Sequence, residues 1–441
     1  MKHSLVLGLV AALAAAVPLT PASAQNDELF LPLFTYRTGP FAGSGIPIAN
    51  GMRDYLEMLN QRDGGIGGVK IRIEECETGY NTQKGVECYD SVKPGNPLIV
   101  NPWSTGITLQ LIPRASVDKT PILSMAYGLS AAADGTVFPW VFNPPASYWD
   151  AASAIIKYIG EQEGGIENLK GKKIGYLFLD AGYGREPIPL LEDFAKEYGF
   201  ELTMYPVPAD TMQNQSSQWL NVRRDRPDYM IMWGWGAMNA TAVREAAKVR
   251  YPMDKFISVW WPGEDDVRPA GAGADGFKML NFHAVGDEFP AIQDIVTHVF
   301  DKGLSQVSDR SKIGENLYNR GLVNSLIMAE AIRTAQELHG HPNVTPAEVR
   351  DGLEALNISA DRLKEIGLEG FMEPMVLSCE DHAGQSDLYI QQWNGESWEK
   401  ISDWFSPMVE KVRPMLEEAA QEYVAANQPW PQRDVPCANA S

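Results

Sequence analysis

Residues 172–202, KKIGYLFLDAGYGREPIPLLEDFAKEYGFEL, contain the pattern that decides the fold. Lys173–Leu179 is an almost continuous apolar run, which predicts a buried β-strand. After a glycine-containing turn, residues 186–198 carry apolar side chains at helical spacing and are predicted to form an amphipathic helix. A buried strand followed by such a helix is the repeating unit of a parallel sheet, so this stretch predicts an α/β fold.

The same alternation of strands and helices extends in both directions along the chain. Further helices are predicted at 314–338 and 345–356, and two late strands, 388–393 and 398–404, are predicted to form a hairpin with a type I′ turn at Asn394-Gly395. Open parallel sheets bind ligands at the carboxyl ends of their strands. The other predicted strands are 29–36, 69–75, 98–101, 122–125, 229–233, 256–260 and 277–281, and the helices between them are 46–62, one from about residue 107, and 241–249.

The N-terminus has the order of a cleavable secretory signal. A basic start is followed by an apolar stretch at 5–17 and by the small residues Ala22 and Ala24. The stretch is too short to span a bilayer, no later run reaches that length, and no cysteine follows the cleavage point as a lipid anchor requires. We therefore expect cleavage after Ala24 and a periplasmic mature protein.

Length and charge restrict the possible partners and the architecture. The chain has 441 residues and a formal net charge of −20, a balance that repels phosphate backbones and excludes nucleic acid as a partner. The chain after the signal is too long for one ordinary core, so two lobes are expected. No heptad repeat or exposed apolar helix face requires self-association, and we expect a monomer.

Four cysteines fall in the chain after the signal, and an exported protein meets an oxidising compartment. Of the three possible pairings, the sequence favours the local ones, Cys76 with Cys88 and Cys379 with Cys437. The second bridge would hold the C-terminal tail. A zinc site is disfavoured because the sequence has no close paired Cys or His spacing of the kind that structural zinc needs.

Aromatic and hydroxyl side chains are concentrated just after the predicted strands. Aromatic rings offer large contact areas with few rotors to freeze, and hydroxyls at a helix start can bind an anion. Each group also has a simpler interpretation: tryptophans are often core residues, Ser104 and Thr105 can cap the next helix, and residues 264–266 can form a solvated acidic loop. The candidate ligand-binding residues are Tyr36, Trp103, Ser104, Thr105, Ala126, Tyr127, Gly128, Tyr183, Trp233, Trp235, Trp261 and Glu264.

Catalytic signatures are weak in this sequence. Gly43-Ser44-Gly45 lacks the full spacing of a hydrolase nucleophile elbow, and the six histidines are scattered. The glycine-rich turn at 64–68 follows a helix and precedes a strand, which is the wrong order for dinucleotide binding. We predict that the protein is not an enzyme and that it needs no cofactor or metal.

Four long segments, in the right order, carry a family resemblance. They are PLFTYRTGPFAGSGIPIANGM at 32–52, the opening stretch at 172–202, PDYMIMWGWGAMNATAVREAAK at 227–248 and CEDHAGQSDLYIQQWNGESW at 379–398. Together they resemble the type I periplasmic binding proteins of the leucine/isoleucine/valine-binding branch, across nearly the whole mature chain.

The resemblance implies an architecture and a role. Two Rossmann-like lobes with parallel central sheets would be joined by a three-crossover hinge and would close on a solute for an ABC importer, with its membrane permease as partner. The implied segments are 1–24 for the signal, 25–145 and 276–375 for the first lobe, 146–275 for the second lobe, and 376–441 for the second-lobe hairpin and tail. A ligand-sensing receptor subunit of the same fold is an alternative, and an exported two-lobed enzyme is a weaker one.

By position, the resemblance also assigns roles in the site. Ser104 and Thr105 match a hydroxyl pair that resembles the carboxylate anchor, aided by backbone amides at 126–128, and Tyr183 matches the second-lobe aromatic residue. Glu264 falls near the acid that pairs with a substrate ammonium, with Asp265 and Asp266 as alternatives.

One departure from the family pattern concerns the ligand. Ala126-Tyr127-Gly128 stands where amino-acid binders usually show Ala-Ala-Thr, so an expected small hydroxyl is missing. The aromatic content of the site points to an aromatic carboxylate or another planar, partly apolar solute, and a branched-chain or hydrophobic amino acid-like solute is the other candidate.

Overall fold

Two sheets built mainly from parallel strands organise the chain. A computed structural model describes residues 28–384 and 386–437, so the predicted signal and its cleavage site lie outside the described residues. The strands are β1 (Glu28–Thr35), β2 (Lys70–Glu77), β3 (Ile122–Leu123), β4 (Val141–Phe142), β5 (Lys173–Leu179), β6 (Glu201–Val207), β7 (Tyr229–Trp233), β8 (Phe256–Ser258), β9 (Lys278–Asn281), β10 (Asn357–Ile358), β11 (Met375–Val376), β12 (Tyr389–Trp393) and β13 (Trp398–Lys400).

Helices connect these strands and cover the sheets. Among the described residues, none of the helices combines the length and the apolar character needed to cross a bilayer. The helices are α1 (Ala42–Arg62), α2 (Thr82–Val92), α3 (Thr105–Asp118), α4 (Tyr148–Gln162), α5 (Gly182–Arg185), α6 (Ile188–Tyr198), α7 (Ser216–Asp225), α8 (Ala237–Lys248), α9 (Glu264–Val267), α10 (Pro290–Ile295), α11 (Asn316–His339), α12 (Pro346–Glu354), α13 (Ala360–Glu365) and α14 (Val409–Ala426).

The first sheet is parallel and lies at the N-terminal end of the sequence. β1 pairs with β2 over its full length, from Glu28 opposite Lys70 to Thr35 opposite Glu77. The short segment that contains Val100 and Asn101 bridges β1 on one side and β3 on the other, and β3 pairs in parallel with β4. All these strands therefore end at the same edge of the sheet.

The second sheet has seven strands in the order β13-β12-β9-β8-β7-β5-β6. The pairs from β6 to β9 are parallel, and β12 and β13 add an antiparallel edge. The parallel core of this sheet confirms the α/β class predicted from the stretch at 172–202.

Two of the predicted segment boundaries differ from the observed path of the chain. β9 pairs with β8, so Lys278–Asn281 belongs to the second sheet and not to the segment 276–375 assigned to the first lobe. The tail after α14, assigned to the second lobe, packs on the first-sheet side: the indole N–H of Trp430 donates to the carbonyl oxygen of Val137 at 3.0 Å. The other predicted boundaries stay predictions.

The predicted type I′ turn in the late hairpin is wrong. Trp393 pairs with Trp398, which leaves a four-residue loop where a two-residue turn was expected. The Oδ1 atom of Asn394 accepts hydrogen bonds from the backbone N–H groups of Glu396 and Ser397, at 2.9 and 2.8 Å, and so stabilises the longer loop. β13 is also shorter than predicted, ending at Lys400.

Both predicted disulfide pairings are confirmed. Cys76 is bonded to Cys88 and Cys379 to Cys437, with Cα–Cα distances of 5.8 and 5.3 Å. The second bridge holds the C-terminal tail, as expected. Near it, the buried side chain of Arg433 forms an ion pair with the buried side chain of Glu354 at 2.8 Å.

Helices α1 and α11 approach each other closely at two glycines. A Cβ atom placed on Gly51 would lie 2.0 Å from the carbonyl oxygen of Tyr318, and one placed on Gly321 would lie 2.0 Å from that of Ile48. Because these atoms are backbone, they cannot move aside as a flexible side chain can. The crossing of the two helices therefore requires glycine at both positions.

We predict that Gly51→Ala lowers the free energy of unfolding by about 2 kcal/mol or more, because the new methyl group separates α1 from α11. Gly43→Ala is the matched control, since Gly43 lies in the same helix and a methyl group added there would have no atom within 4 Å. We expect the control to stay within about 0.5 kcal/mol of the parent protein. Urea unfolding followed by circular dichroism measures both, and equal values would contradict the close-approach argument.

Candidate functional site

Aromatic residues from the carboxyl ends of both sheets meet in one buried cluster. Tyr127 is at its centre: the ring centroid of Tyr127 lies 5.6 Å from that of Trp103, 6.3 Å from Trp235 and 4.6 Å from Trp261. The hydroxyl groups of Tyr127 and Tyr36 share a hydrogen bond of 3.2 Å. Each of these five side chains is at most 2 % exposed. We call this set, Tyr36, Trp103, Tyr127, Trp235 and Trp261, the aromatic cluster.

The cluster joins the two sheets. Tyr36 directly follows β1 and Tyr127 follows β3, whereas Trp235 follows β7 and Trp261 follows β8. Within each sheet, parallel strands end at a common edge, which brings together residues that are distant in sequence. The cluster forms where the carboxyl edges of the two sheets meet.

Tyr148 extends the contacts further into the second sheet. Its hydroxyl accepts a hydrogen bond from Trp261 Nε1 at 3.0 Å, and its ring lies 5.6 Å from that of Trp233 and 5.3 Å from that of Tyr183. The hydroxyl of Tyr183 donates to the carbonyl oxygen of Gly234 at 3.0 Å. The sequence analysis identified Trp233 and Tyr183 but missed Tyr148, the first residue of α4, although the Ser147–Asp150 capping box marks that helix start.

Tyr80 is a second aromatic residue that the sequence analysis missed. It lies between β2 and α2, with its ring 4.9 Å from that of Tyr36 and 6.2 Å from that of Trp235. Nothing in the alternation of strands and helices marks this residue, because it belongs to a loop.

Ser104 and Thr105 hold the backbone at the start of α3. The Ser104 hydroxyl caps the helix by accepting from the backbone N–H of Ile107 at 3.4 Å. Thr105 Oγ1 accepts from the backbone N–H of Gly128 at 3.4 Å, which ties this helix start to the loop after β3. The capping alternative raised from the sequence is thus observed, and the proposed role in anion binding stays a prediction.

Three residues of the site have backbone conformations that are rare for residues with side chains. Trp103 has a φ of 49°, Ala126 a φ of 55° and Tyr80 a φ of 59°, all in the left-handed region. Such conformations cost free energy and are often found at binding sites, where the surrounding structure holds them.

The acidic residues 264–266 lie at the mouth of the cleft between the start of α1 and the start of α11. The two carboxylate oxygens of Glu264 accept from the backbone N–H of Asn316, at 3.0 and 3.1 Å. Burial raises the pKa of Glu264 to about 8, and burial raises that of Asp266 to about 7. Asp265 is exposed and pairs with Arg268. The predicted contact of Glu264 with a ligand ammonium stays a prediction.

Arg320, on α11, reaches the carboxyl edge of the second sheet and was missed by the sequence analysis. Its guanidinium carbon lies 5.1 Å from the ring centroid of Trp261 and 4.0 Å from that of Phe282. Nε donates to His283 Nε2 at 2.8 Å and Nη2 donates to Asn281 Oδ1 at 2.7 Å. The signal in the sequence is the polar spacing Asn316, Arg320 and Asn324 along one face of an otherwise largely apolar helix.

Glu186 is a half-buried acid beside the loop after β3. Its Oε1 atom accepts from the backbone N–H of Ser130 at 2.6 Å, and burial raises its pKa to about 7. Gly128 packs against the Glu186 side chain, since a Cβ atom there would lie 3.4 Å from Cγ of Glu186.

Comparison with known proteins gives a consistent family. The sequence model of a family described as periplasmic binding protein matches residues 28–397. A comparison with curated protein sequences finds no significant match.

Solved structures share the fold over most of their length. A structure from the Pseudomonas fluorescens group, described as an ABC transporter permease, is 39% identical and has a TM-score of 0.85, with 93% of this chain and 100% of that chain covered. A branched-chain amino acid ABC transporter protein from Thermus thermophilus with bound valine is 20% identical, with a TM-score of 0.73 and coverage of 88% and 99%. A solute-binding protein from R. palustris in complex with benzoate is 15% identical, with a TM-score of 0.67 and coverage of 86% and 97%.

We predict that Glu264 makes the free energy of unfolding depend on pH. Its pKa of about 8 in the folded protein lies above the ordinary 4.5, so the folded chain keeps a proton that the unfolded chain has released between these values. The contribution of Glu264 to the free energy of unfolding therefore falls as the pH rises through that window. Glu264→Gln removes this contribution, and the thermal midpoint of the variant should fall less across the window than that of the parent.

Glu369→Gln is the control, because that side chain is 69% exposed. Differential scanning fluorimetry at several pH values gives the slopes. Identical slopes for the parent and Glu264→Gln would mean that Glu264 is ionised in the folded protein.

Proposed function

This chain belongs to the periplasmic binding protein family, and from that premise we propose that it captures a small organic solute outside the cytoplasmic membrane and delivers it to an ABC importer. The family binds substrates and is not a family of enzymes. The observation that carries the proposal is the aromatic cluster, to which both sheets contribute.

A binding site shared by two lobes gives solute capture a mechanism. Tyr36 and Tyr127 come from the first sheet, and Trp235 and Trp261 come from the second, so a solute between them contacts both. A solute that contacts both lobes favours the form in which they are closed. In our proposal the closed form docks on the membrane permease of the importer, and the protein works as a periplasmic monomer.

The proposed ligand is a small, partly apolar organic acid, either an aromatic carboxylate or a hydrophobic amino acid-like solute. Buried aromatic rings favour a planar or apolar body with a few polar contacts. Among structures of this fold, one holds valine and another holds benzoate. The two candidates share a carboxylate and differ in the ammonium group.

The protein is first unfolded and refolded to remove any solute that it carries. We then expect one class of compound to stabilise it in a thermal-shift screen of amino acids, aromatic acids, amides and polyols. Binding at a hundredfold excess over the dissociation constant adds about 2.7 kcal/mol, which is enough to move the melting midpoint by a few degrees. A folded protein that responds to no compound, and whose loss leaves cellular uptake of all of them unchanged, would contradict solute capture.

Substitution of the central ring tests the site itself. Tyr127→Leu should weaken binding of the identified solute at least about tenfold, because it removes a ring that contacts three tryptophans of the cluster. Tyr205→Leu is the matched control: Tyr205 is also buried, but its hydroxyl bonds to Asp225, away from the cluster. Equal loss of affinity in both variants would place the binding site elsewhere.

A further inference from the structure

Arg320 is a buried cation without a counterion among the described residues. Its side chain is fully buried, and none of the ion pairs of the described chain includes it. Its hydrogen bonds go to the neutral groups of Asn281 and His283, and Nη1 has no partner. Burial lowers the pKa of Arg320 to about 9, which still leaves the guanidinium charged at neutral pH. Burying a charge without a partner costs free energy, so the guanidinium of Arg320 requires a negatively charged group that the described residues do not supply.

Several neighbouring donors have no partner either. One turn along α11, the side-chain amide of Asn324 accepts from Asn101 through Oδ1, while its Nδ2 has no partner. In the aromatic cluster, the indole N–H groups of Trp103 and Trp235 have none either. Both indoles contact Tyr127, and Tyr127 contacts Trp261, on which Arg320 lies.

These four donors require acceptors. Buried N–H groups in proteins are almost always hydrogen-bonded, and an unsatisfied one costs the desolvation of that group. A carboxylate offers two oxygens with lone pairs for several donors, and a guanidinium binds it with fixed geometry. An alcohol, a polyol or an ammonium group supplies no negative charge for Arg320. A cationic ligand in the cluster would also face the guanidinium that already lies over Trp261 and Phe282.

We propose that Nη1 of Arg320 and Nδ2 of Asn324 form the carboxylate-binding site of the cleft, and that the ligand is an aromatic monocarboxylate whose ring lies against the aromatic cluster. The inference rests on the proposed solute capture and specifies its ligand class. Arg320 is thus the residue that recognises the charge, and Trp103 and Trp235 are available to donate to the same oxygens or to a substituent on the ring.

The experiment measures binding to the refolded full-length mature protein by isothermal calorimetry. The probes are benzoate, 4-hydroxybenzoate and phenylacetate, with benzamide and benzyl alcohol as neutral compounds of similar shape, and leucine and choline as an amino acid and a cation. We expect at least one aromatic carboxylate to bind, and its neutral counterpart to bind at least about 100-fold more weakly, as the loss of two charge-assisted hydrogen bonds implies.

Three variants test whether Arg320 is responsible for the binding of the carboxylate. Arg320→Gln should weaken carboxylate binding at least about 100-fold, and Arg320→Lys should restore part of it because the charge returns without the forked geometry. Arg350→Gln is the matched control, since the Arg350 guanidinium also lies over a tryptophan ring, that of Trp140 at 4.9 Å, outside the cleft. It should leave binding unchanged.

Asn324→Asp provides a variant that keeps the side-chain shape. Its remaining oxygen still accepts from Asn101, and the new carboxylate lies one turn from Arg320 and competes for the guanidinium. We expect a higher melting midpoint without ligand and at least about tenfold weaker carboxylate binding. A purely structural arginine would instead give variants that change stability and leave the dissociation constant unchanged.

The outcomes separate the two proposals. Equal affinity for benzoate and benzamide, or unchanged carboxylate affinity in Arg320→Gln and Asn324→Asp, would overturn the carboxylate site. Tight binding of choline, leucine or a polyol without aromatic acids would overturn the ligand class and leave solute capture standing. A folded protein that binds none of these solutes or the wider screen would count against both.

Discussion

The backbone contact between α1 and α11 fixes the position of the functional groups. With glycine at 51 and 321, the two helices touch through their main chains, and α11 cannot rotate without breaking that contact. The face of α11 beside Gly321 then carries Arg320 to the carboxyl edge of the second sheet, where it bonds to Asn281. One turn later Asn324 bonds to Asn101 at the edge of the first sheet. A single helix therefore carries polar groups to both edges between which the proposed ligand lies.

Much of the fold was predictable because the pattern of each element agrees with its place in the sheet. The apolar run at Lys173–Leu179 is a buried strand with partners on both sides, and the family resemblance is confirmed by the match over residues 28–397. Tyr36 and Tyr127 lie at the carboxyl edge of the first sheet and Trp235 and Trp261 at that of the second, because parallel strands end at one edge, a rule that needs no knowledge of side-chain contacts. The hairpin was mispredicted because Asn394 uses its side chain to hold a longer loop.

The groups that sequence reasoning missed lie outside the strand ends. Tyr80 is in a loop, Tyr148 opens a helix, and Arg320 lies within one, where an arginine is ordinarily assigned to the solvent face. Only the path of the chain, which brings α11 back against α1 after the second sheet, buries Arg320. Glu264 shows the converse: its position was anticipated, but both carboxylate oxygens accept from the backbone at the start of α11. Sequence position identified the loop and not the hydrogen-bond partner.

Charge acts differently at long and at short range in this protein. The net charge of −20 repels an anionic solute at a distance, but salt screens exposed charges beyond about 8 Å at physiological ionic strength. Inside the cleft, Arg320 is fully buried and its Nη1 has no partner among the described residues, so a carboxylate there would interact strongly. In the proposed mechanism, closure without a solute would leave the guanidinium buried and uncompensated. The closed form would then be favoured only when the solute supplies the negative charge, which would couple recognition to closure through one residue.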